Sequence, residues 1–155
     1  MIHRRSGFER ALREAGHVPL PPEWVRWVDG YEGYAGMVLT LSGHLAPYLM
    51  ADEPIDSVVA LVDAHVPAIC AALKRCGREP GKDVMVVGYD AAWADSLEWR
   101  LCPIPPAATV DKNNLAMGRA MAELLEDRLV GRLSPEPQLR MIEPTLQVSQ
   151  PMRIS

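Results

Sequence analysis

The chain has 155 residues, enough for one ordinary domain with its own core. Apolar residues make up 48% and charged residues 23%, which excludes a disordered chain, and no apolar run reaches the ~20 residues of a membrane span. The net charge of −4 argues against a surface that grips nucleic acid, which is normally basic.

The basic start, Met1-Ile2-His3-Arg4-Arg5, leads straight into polar sequence and does not read as a secretory signal. Ser6-Gly7-Phe8-Glu9 has the spacing of a capping box, and Phe8, Ala11, Leu12 and Ala15 follow at helical intervals before Gly16. The helix starts at Ser6, or earlier with Arg4 in its first turn. After a proline-rich connection at 17–22, residues 23–28 read as a strand that ends at Asp29-Gly30, with Tyr31 directly behind it. Met37, Leu41 and Leu45 share one face of a second helix at 34–45, which Pro47 breaks or kinks. Residues 57–62 form an apolar strand that stops at Asp63. Val66, Ile69, Cys70, Leu73 and Cys76 make an amphipathic third helix that ends at Gly77. Pro67 fits only its first turn, so that helix starts near His65 or Val66.

Residues 84–90, Val-Met-Val-Val-Gly-Tyr-Asp, are the centre of the pattern. A continuous apolar run of this length reads as a parallel strand buried on both faces. Asp90 then either stands at the carboxyl edge of the sheet, where open α/β sheets bind ligands, or only caps a turn. An irregular stretch with Trp93, Trp99 and three prolines follows, then an extended piece at 107–110. Asp111 or Asn113 caps a fourth helix whose stripe is Met117, Met121, Leu124, Leu125 and Leu129, and which ends at Gly131. Extended segments at 139–142 and 145–148 flank Pro144. Strands alternating with helices predict an α/β fold, a mostly parallel sheet with helices on both faces.

No glycine-rich nucleotide loop and no nucleophile elbow occurs. Asp63 and His65 could hold a metal, but the pair reads more simply as a strand-end acid beside a helix-capping histidine. Cys70 and Cys76 read as core, and three cysteines without metal-ligand spacing suit reduced thiols in a cytoplasmic protein. The four tryptophans could stack on a sugar ring or pack in the fold. Tyr31, Asp63 and Asp90 each follow a strand directly. Carboxylates accept hydrogen bonds from hydroxyls and a ring covers the apolar face of a sugar, so together they suit a polyhydroxylated ligand.

Several segments resemble the lactose-repressor (LacI/GalR) family of transcription regulators, in order along nearly the whole chain. Arg4, Gly7-Phe8, Ala11-Leu12 and Gly16 resemble one family segment, and Asp63, Ala68, Ala72-Leu73 and Gly77 a second. Pro80, Asp83-Val84 and Val86-Val87-Gly88-Tyr89-Asp90 resemble a third, and Pro106, Thr109-Val110, Met117-Gly118 and Leu124-Leu125 a fourth. The resemblance implies a partial periplasmic-binding-protein-like (type I) fold: an incomplete C-terminal effector-binding subdomain at 1–110, a segment at 111–138 crossing towards an N-terminal subdomain, and a return strand and tail at 139–155. It implies a small effector, a sugar or nucleoside, touched by Arg4 and Asp90, covered by Tyr31, and approached by Asp63, Lys112 and Asn114. Val62 stands where the family carries asparagine, which removes one polar contact.

The resemblance further implies a cytoplasmic homodimer with no cofactor, no metal and no catalytic residue. Its contact would run along 66–76 and the loop around Trp93, and DNA would be bound only through a helix-turn-helix absent from this chain. The chain resembles the C-terminal half of such a regulator. The fourth helix should then stand away from the sheet with its stripe exposed, or bury it against another chain. A transport-type sugar-binding protein and an enzyme on a doubly wound sheet are the competing readings.

Overall fold

The computed structural model describes residues 2–18 and 32–149, except the side chains of residues 2–4. The elements are α1 (Ile2–Glu14), α2 (Gly33–Leu49), β1 (Ser57–Val59), α3 (Val66–Arg75), β2 (Met85–Tyr89), β3 (Ala108–Asp111), α4 (Asn114–Leu129) and β4 (Thr145–Val148). The four strands lie in the order β1-β2-β3-β4. The first three are parallel, and β4 returns antiparallel to β3. The strand expected at 23–28 lies outside the described residues.

Local signals explain most element ends. Helices α1 and α3 both close on a left-handed glycine, Gly16 at φ 81° and Gly77 at φ 74°. Behind Gly77, the Arg78 N–H reaches back to the Leu73 carbonyl at 2.9 Å, and the Gly77 N–H to Lys74 at 3.0 Å. This Schellman arrangement satisfies carbonyls that the helix leaves open. Pro67 sits in the first turn of α3, as its missing N–H requires. Helix α1 begins at Ile2, so Ser6 lies inside it and the capping-box spacing does not mark its start.

Helix α2 runs through Pro47 to Leu49. A proline inside a helix costs about 3 kcal/mol or more. Leu49 is 2% exposed, and full burial of such a side chain is worth roughly 1.5–3 kcal/mol. The end of the helix is also held from outside, by Arg78 Nη2 donating to the Leu49 carbonyl at 2.7 Å and Ile55 N–H to that of Tyr48 at 3.2 Å.

Leu49 of α2, Val66, Ile69, Cys70 and Leu73 of α3, and Val84 and Val86 of the central strand region form one core cluster, with Cys102 at its border. Met85, Val87 and Tyr89, on the opposite face of β2, are only half-buried, so the strand is not closed equally on both sides. The seven buried residues of α3 are covered by the chain's own α2 and sheet. The apolar face of α3 is therefore occupied by the chain's own core, and its exposed side is carried by Lys74 and Arg75.

Helix α4 is the opposite case. None of its residues is buried. Met121 is 70% exposed and Leu125 60%, so the stripe faces solvent in this chain. Met117 and Leu124 of the same stripe are half-buried.

Candidate functional site

The site is built where β2 and β3 end side by side. Their register pairs Gly88 with Thr109 and Tyr89 with Val110. Beyond Tyr89 the chain turns sharply: Asp90 has φ 107° and Ala91 φ 55°. Two successive non-glycine residues in the left-handed region store strain, about 1–3 kcal/mol each.

Three successive amides hold this turn. The Asp90 N–H donates to the Val110 carbonyl at 2.9 Å. The Ala91 N–H donates to Thr109 Oγ1 at 3.3 Å. The Ala92 N–H donates to Asp63 Oδ2 at 3.0 Å. Thr109 Oγ1 lies 3.0 and 2.9 Å from the two oxygens of Asp63. Because a carboxylate only accepts, the threonine proton points to Asp63 and its lone pair receives Ala91.

Asp63 is 1% exposed and Thr109 is fully buried. The sequence reading puts Asp63 on the lip of the crevice beside Asp90. The structure puts it underneath, in the helical turn Asp63–His65 that feeds α3. Its carboxylate fills the space above Gly88: a Cβ on that glycine would stand 1.8 Å from Asp63 Oδ1.

Asp90 itself comes up at the strand end. Lys112 Nζ stands 2.7 Å from Asp90 Oδ1, and the two side chains keep 29% and 20% of their surface exposed. The same ammonium lies 5.8 Å from the centroid of the Tyr89 ring, within range of a cation–π attraction. The residues on either side of Lys112 are fixed by local bonds. Asp111 Oδ1 accepts from the Asn113 N–H at 2.7 Å, while the Asn113 side chain caps α4 by accepting from the Ala116 N–H at 3.3 Å. Both residues named as candidate caps thus act at this corner. Asn114, in the first turn of α4, is exposed. The structure thus joins Asp90 and Lys112 directly and places Asn114 two residues from Lys112. Tyr31 and the side chain of Arg4 lie outside the described residues.

The arrangement offers a donor and an acceptor side by side, at the partly open end of a parallel sheet. Such a couple can exchange its internal contact for hydrogen bonds with neighbouring hydroxyls. Among the described residues, no three His, Cys, Asp or Glu side chains are grouped so as to hold a metal ion. Cys70 is pushed up to about 12, chiefly by burial, which keeps it a protonated core thiol. Trp93 and Trp99 pack edge to face with centroids 4.5 Å apart, which uses one face of the pair internally. A shallow depression of about 170 Å³ along α4, lined by Leu124, Leu125, Arg128, Leu133 and Gln138, includes none of the expected contacts.

Sequence reasoning missed Gly88, Thr109 and the amides of Ala91 and Ala92. A glycine inside an apolar strand was the available signal, because it often marks a close approach by another group.

The periplasmic binding protein-like domain family matches residues 1–149. The transcriptional regulator CelR of Thermobifida fusca is 36% identical over 150 residues, covering 95% of this chain and 39% of its own length. The transcriptional repressor PurR of Haemophilus influenzae is 29% identical over 130 residues, covering 81% of this chain and 34% of the repressor. Among solved structures, a CelR–cellobiose complex superposes with a TM-score of 0.71 at 31% identity, over 95% of this chain and 41% of that one. A LacI-family regulatory protein from Chloroflexus aggregans shares the fold, with a TM-score of 0.69 at 22% identity over 94% of this chain and 48% of its own. The chain thus spans well under half the length of the curated relatives it matches. With a family match across nearly its whole length, the chain belongs to the periplasmic binding protein-like domain family, in the form found in LacI-type transcriptional regulators.

Proposed function

We propose that this chain is the effector-sensing and dimerisation part of a LacI-type transcription regulator, responding to a sugar or related polar ligand and having no enzymatic activity. The observation that carries the reading is the Asp90–Lys112 couple at the carboxyl ends of β2 and β3, 2.7 Å apart and partly open. Ligands of open α/β sheets bind at that edge. Asp90 accepts from ligand hydroxyls and Lys112 and Asn114 donate to them; the family resemblance assigns Arg4 and Tyr31 to the same ligand. A further observation supports a saccharide: the relative CelR was solved with cellobiose.

The exposed stripe of α4 belongs, in this reading, against the other half of the effector domain, so that the ligand is held between two lobes. Residues 1–110 form one lobe, 111–138 cross over, and 139–148 return. The homodimer contact uses the exposed Leu97 and Leu101 around the Trp93–Trp99 pair, since the apolar face of α3 is already buried. DNA is bound through a helix-turn-helix outside these residues, and the regulator works in the cytoplasm. Among the described residues, no helix is long and apolar enough to cross a membrane. That both curated relatives are transcriptional regulators favours this reading over a transport-type binding protein or an enzyme.

The test is calorimetric titration of the regulator with cellobiose and a panel of mono- and disaccharides. One of them binds, and Asp90→Ala weakens it by about ten- to a hundredfold, the value of a hydrogen bond to a charged group. An unchanged affinity would remove Asp90 from the site, and no binding across the panel would overturn the saccharide reading.

A further inference from the structure

We propose that Asp63 is a positioning residue, which sets ligand affinity from beneath the site by holding the Asp90–Ala92 turn without touching the ligand. The proposal rests on the reading of Asp90 and Lys112 as ligand contacts. It starts from what Asp63 does with its two oxygens. Both lie within 3.0 Å of Thr109 Oγ1, and one also receives the Ala92 N–H at 3.0 Å. Thr109 in turn receives the Ala91 N–H at 3.3 Å. Two consecutive amides of one turn therefore lead to a single buried carboxylate, one directly and one through a hydroxyl.

The turn needs such a hold. Asp90 and Ala91 both have positive φ, a conformation that persists only where the surroundings fix it. Asp63 can reach the turn only because Gly88 has no side chain: a Cβ there would occupy the place of Oδ1. Gly88 and Thr109 are register partners on adjacent strands, so the glycine that opens the space and the threonine that relays the bond lie side by side. Released from this hold, the turn relaxes towards ordinary φ values, and the Asp90 carboxylate leaves its place opposite Lys112.

A residue that merely supports the core would not show the pattern this lock requires. Thr109→Val keeps the shape and removes the relay, so it acts on Ala91 and leaves the Ala92–Asp63 bond. Thr109→Ser restores the hydroxyl. Asp63→Ala acts on both amides. The experiment is amide hydrogen exchange by NMR on the 155-residue chain and its variants, followed by titration of the regulator with cellobiose. In the parent chain the Ala91 and Ala92 amides are protected. Thr109→Val lowers Ala91 protection by about ten- to a hundredfold with Ala92 affected less, Thr109→Ser returns it to within a few-fold, and the α3 amides keep theirs. Cellobiose affinity falls about tenfold in Thr109→Val and recovers in Thr109→Ser.

Unprotected Ala91 and Ala92 amides in the parent chain overturn the lock. So does a Thr109→Val variant whose Ala91 exchange is unchanged, or one with a freed amide and undiminished cellobiose affinity. If Asp63→Ala does not fold, the Thr109 pair decides alone. If the parent regulator binds another saccharide of the panel instead of cellobiose, that saccharide serves as the probe; if it binds none, the saccharide reading fails while the exchange data still decide whether Asp63 holds the turn.

Discussion

Replacing Gly88 by alanine puts a methyl group where the carboxylate of Asp63 now lies. The new Cβ would stand 1.8 Å from Oδ1 and 2.9 Å from Cγ, and only Thr109 Oγ1, at 3.4 Å, is at an ordinary contact distance. Oδ1 must retreat by about 1.6 Å to reach that same distance. Asp63 has little room to do so, because it is 1% exposed and its backbone is fixed in the turn entering α3. Moving it breaks the bonds from Ala92 and Thr109, each worth roughly 1.5–3 kcal/mol to a charged acceptor. The expected loss is about 3–5 kcal/mol, a large part of a domain's typical stability of about 5–15 kcal/mol. For a chain of this size that lowers the melting temperature by roughly 6–20 °C. Urea unfolding followed by the fluorescence of Trp93 and Trp99 measures it. Asp63→Ala supplies the control: with the carboxylate already gone, Gly88→Ala should cost less than about 1 kcal/mol more, so the two changes are strongly non-additive. A loss below about 1 kcal/mol in the parent background, or simple additivity of the two changes, would refute the argument.

Pro47 is exposed and leaves the Gly43 carbonyl without its helical donor, so Pro47→Ala should raise stability by about 1–2 kcal/mol in the same unfolding assay. Exchanging Met121, Leu125 and Leu129 on α4 for lysine or glutamine should leave the melting temperature of the isolated chain nearly unchanged, because all three are exposed. The same triple variant should suppress self-association in sedimentation velocity runs if the stripe mediates it. Burial lowers the pKa of His65 below its ordinary 6.5, with Glu98 pulling weakly the other way. The unfolded chain then binds the proton more readily, so stability is full above about pH 6.5 and falls as the pH drops below it. His65→Gln should flatten urea midpoints measured between pH 7 and 5.

The parts of the fold that were legible in the sequence are those set by neighbours along the chain. Pro67 and Gly77 bracket α3 because a proline lacks its N–H and a glycine accepts a left-handed φ, whatever packs nearby. The apolar run ending at Asp90 is strand β2 with its carboxylate at the edge. Where distant residues decide, local reading was not enough. Pro47 leaves a break, a kink or a continuation open, and Leu49 in the core and Arg78 from another segment decide it by carrying α2 past the proline. Of the two starts open for α1, the earlier one with Arg4 in the first turn is the observed one, and Ser6 lies inside the helix. The apolar face of α3, read as core from its helical spacing, packs against α2 and the sheet. Asp63 carries the same lesson into the site. In the sequence it ends an apolar run as Asp90 does, but β1 stops at Val59 and Asp63 lies in the turn entering α3, where the side-chain-free Gly88 leaves room for its carboxylate.

Strand order across the sheet equals strand order along the chain. A ribosome delivers a polypeptide from its N-terminus at about 5–20 residues per second, so each strand emerges when the edge it joins already exists. Among the described strands, none has to be inserted between two that have already paired. The Asp90–Ala92 turn belongs to the last parallel addition, because its hydroxyl anchor arrives with β3. Nascent-chain quality control therefore has a simple marker in this domain: a chain that has ordered that turn has already paired β1, β2 and β3.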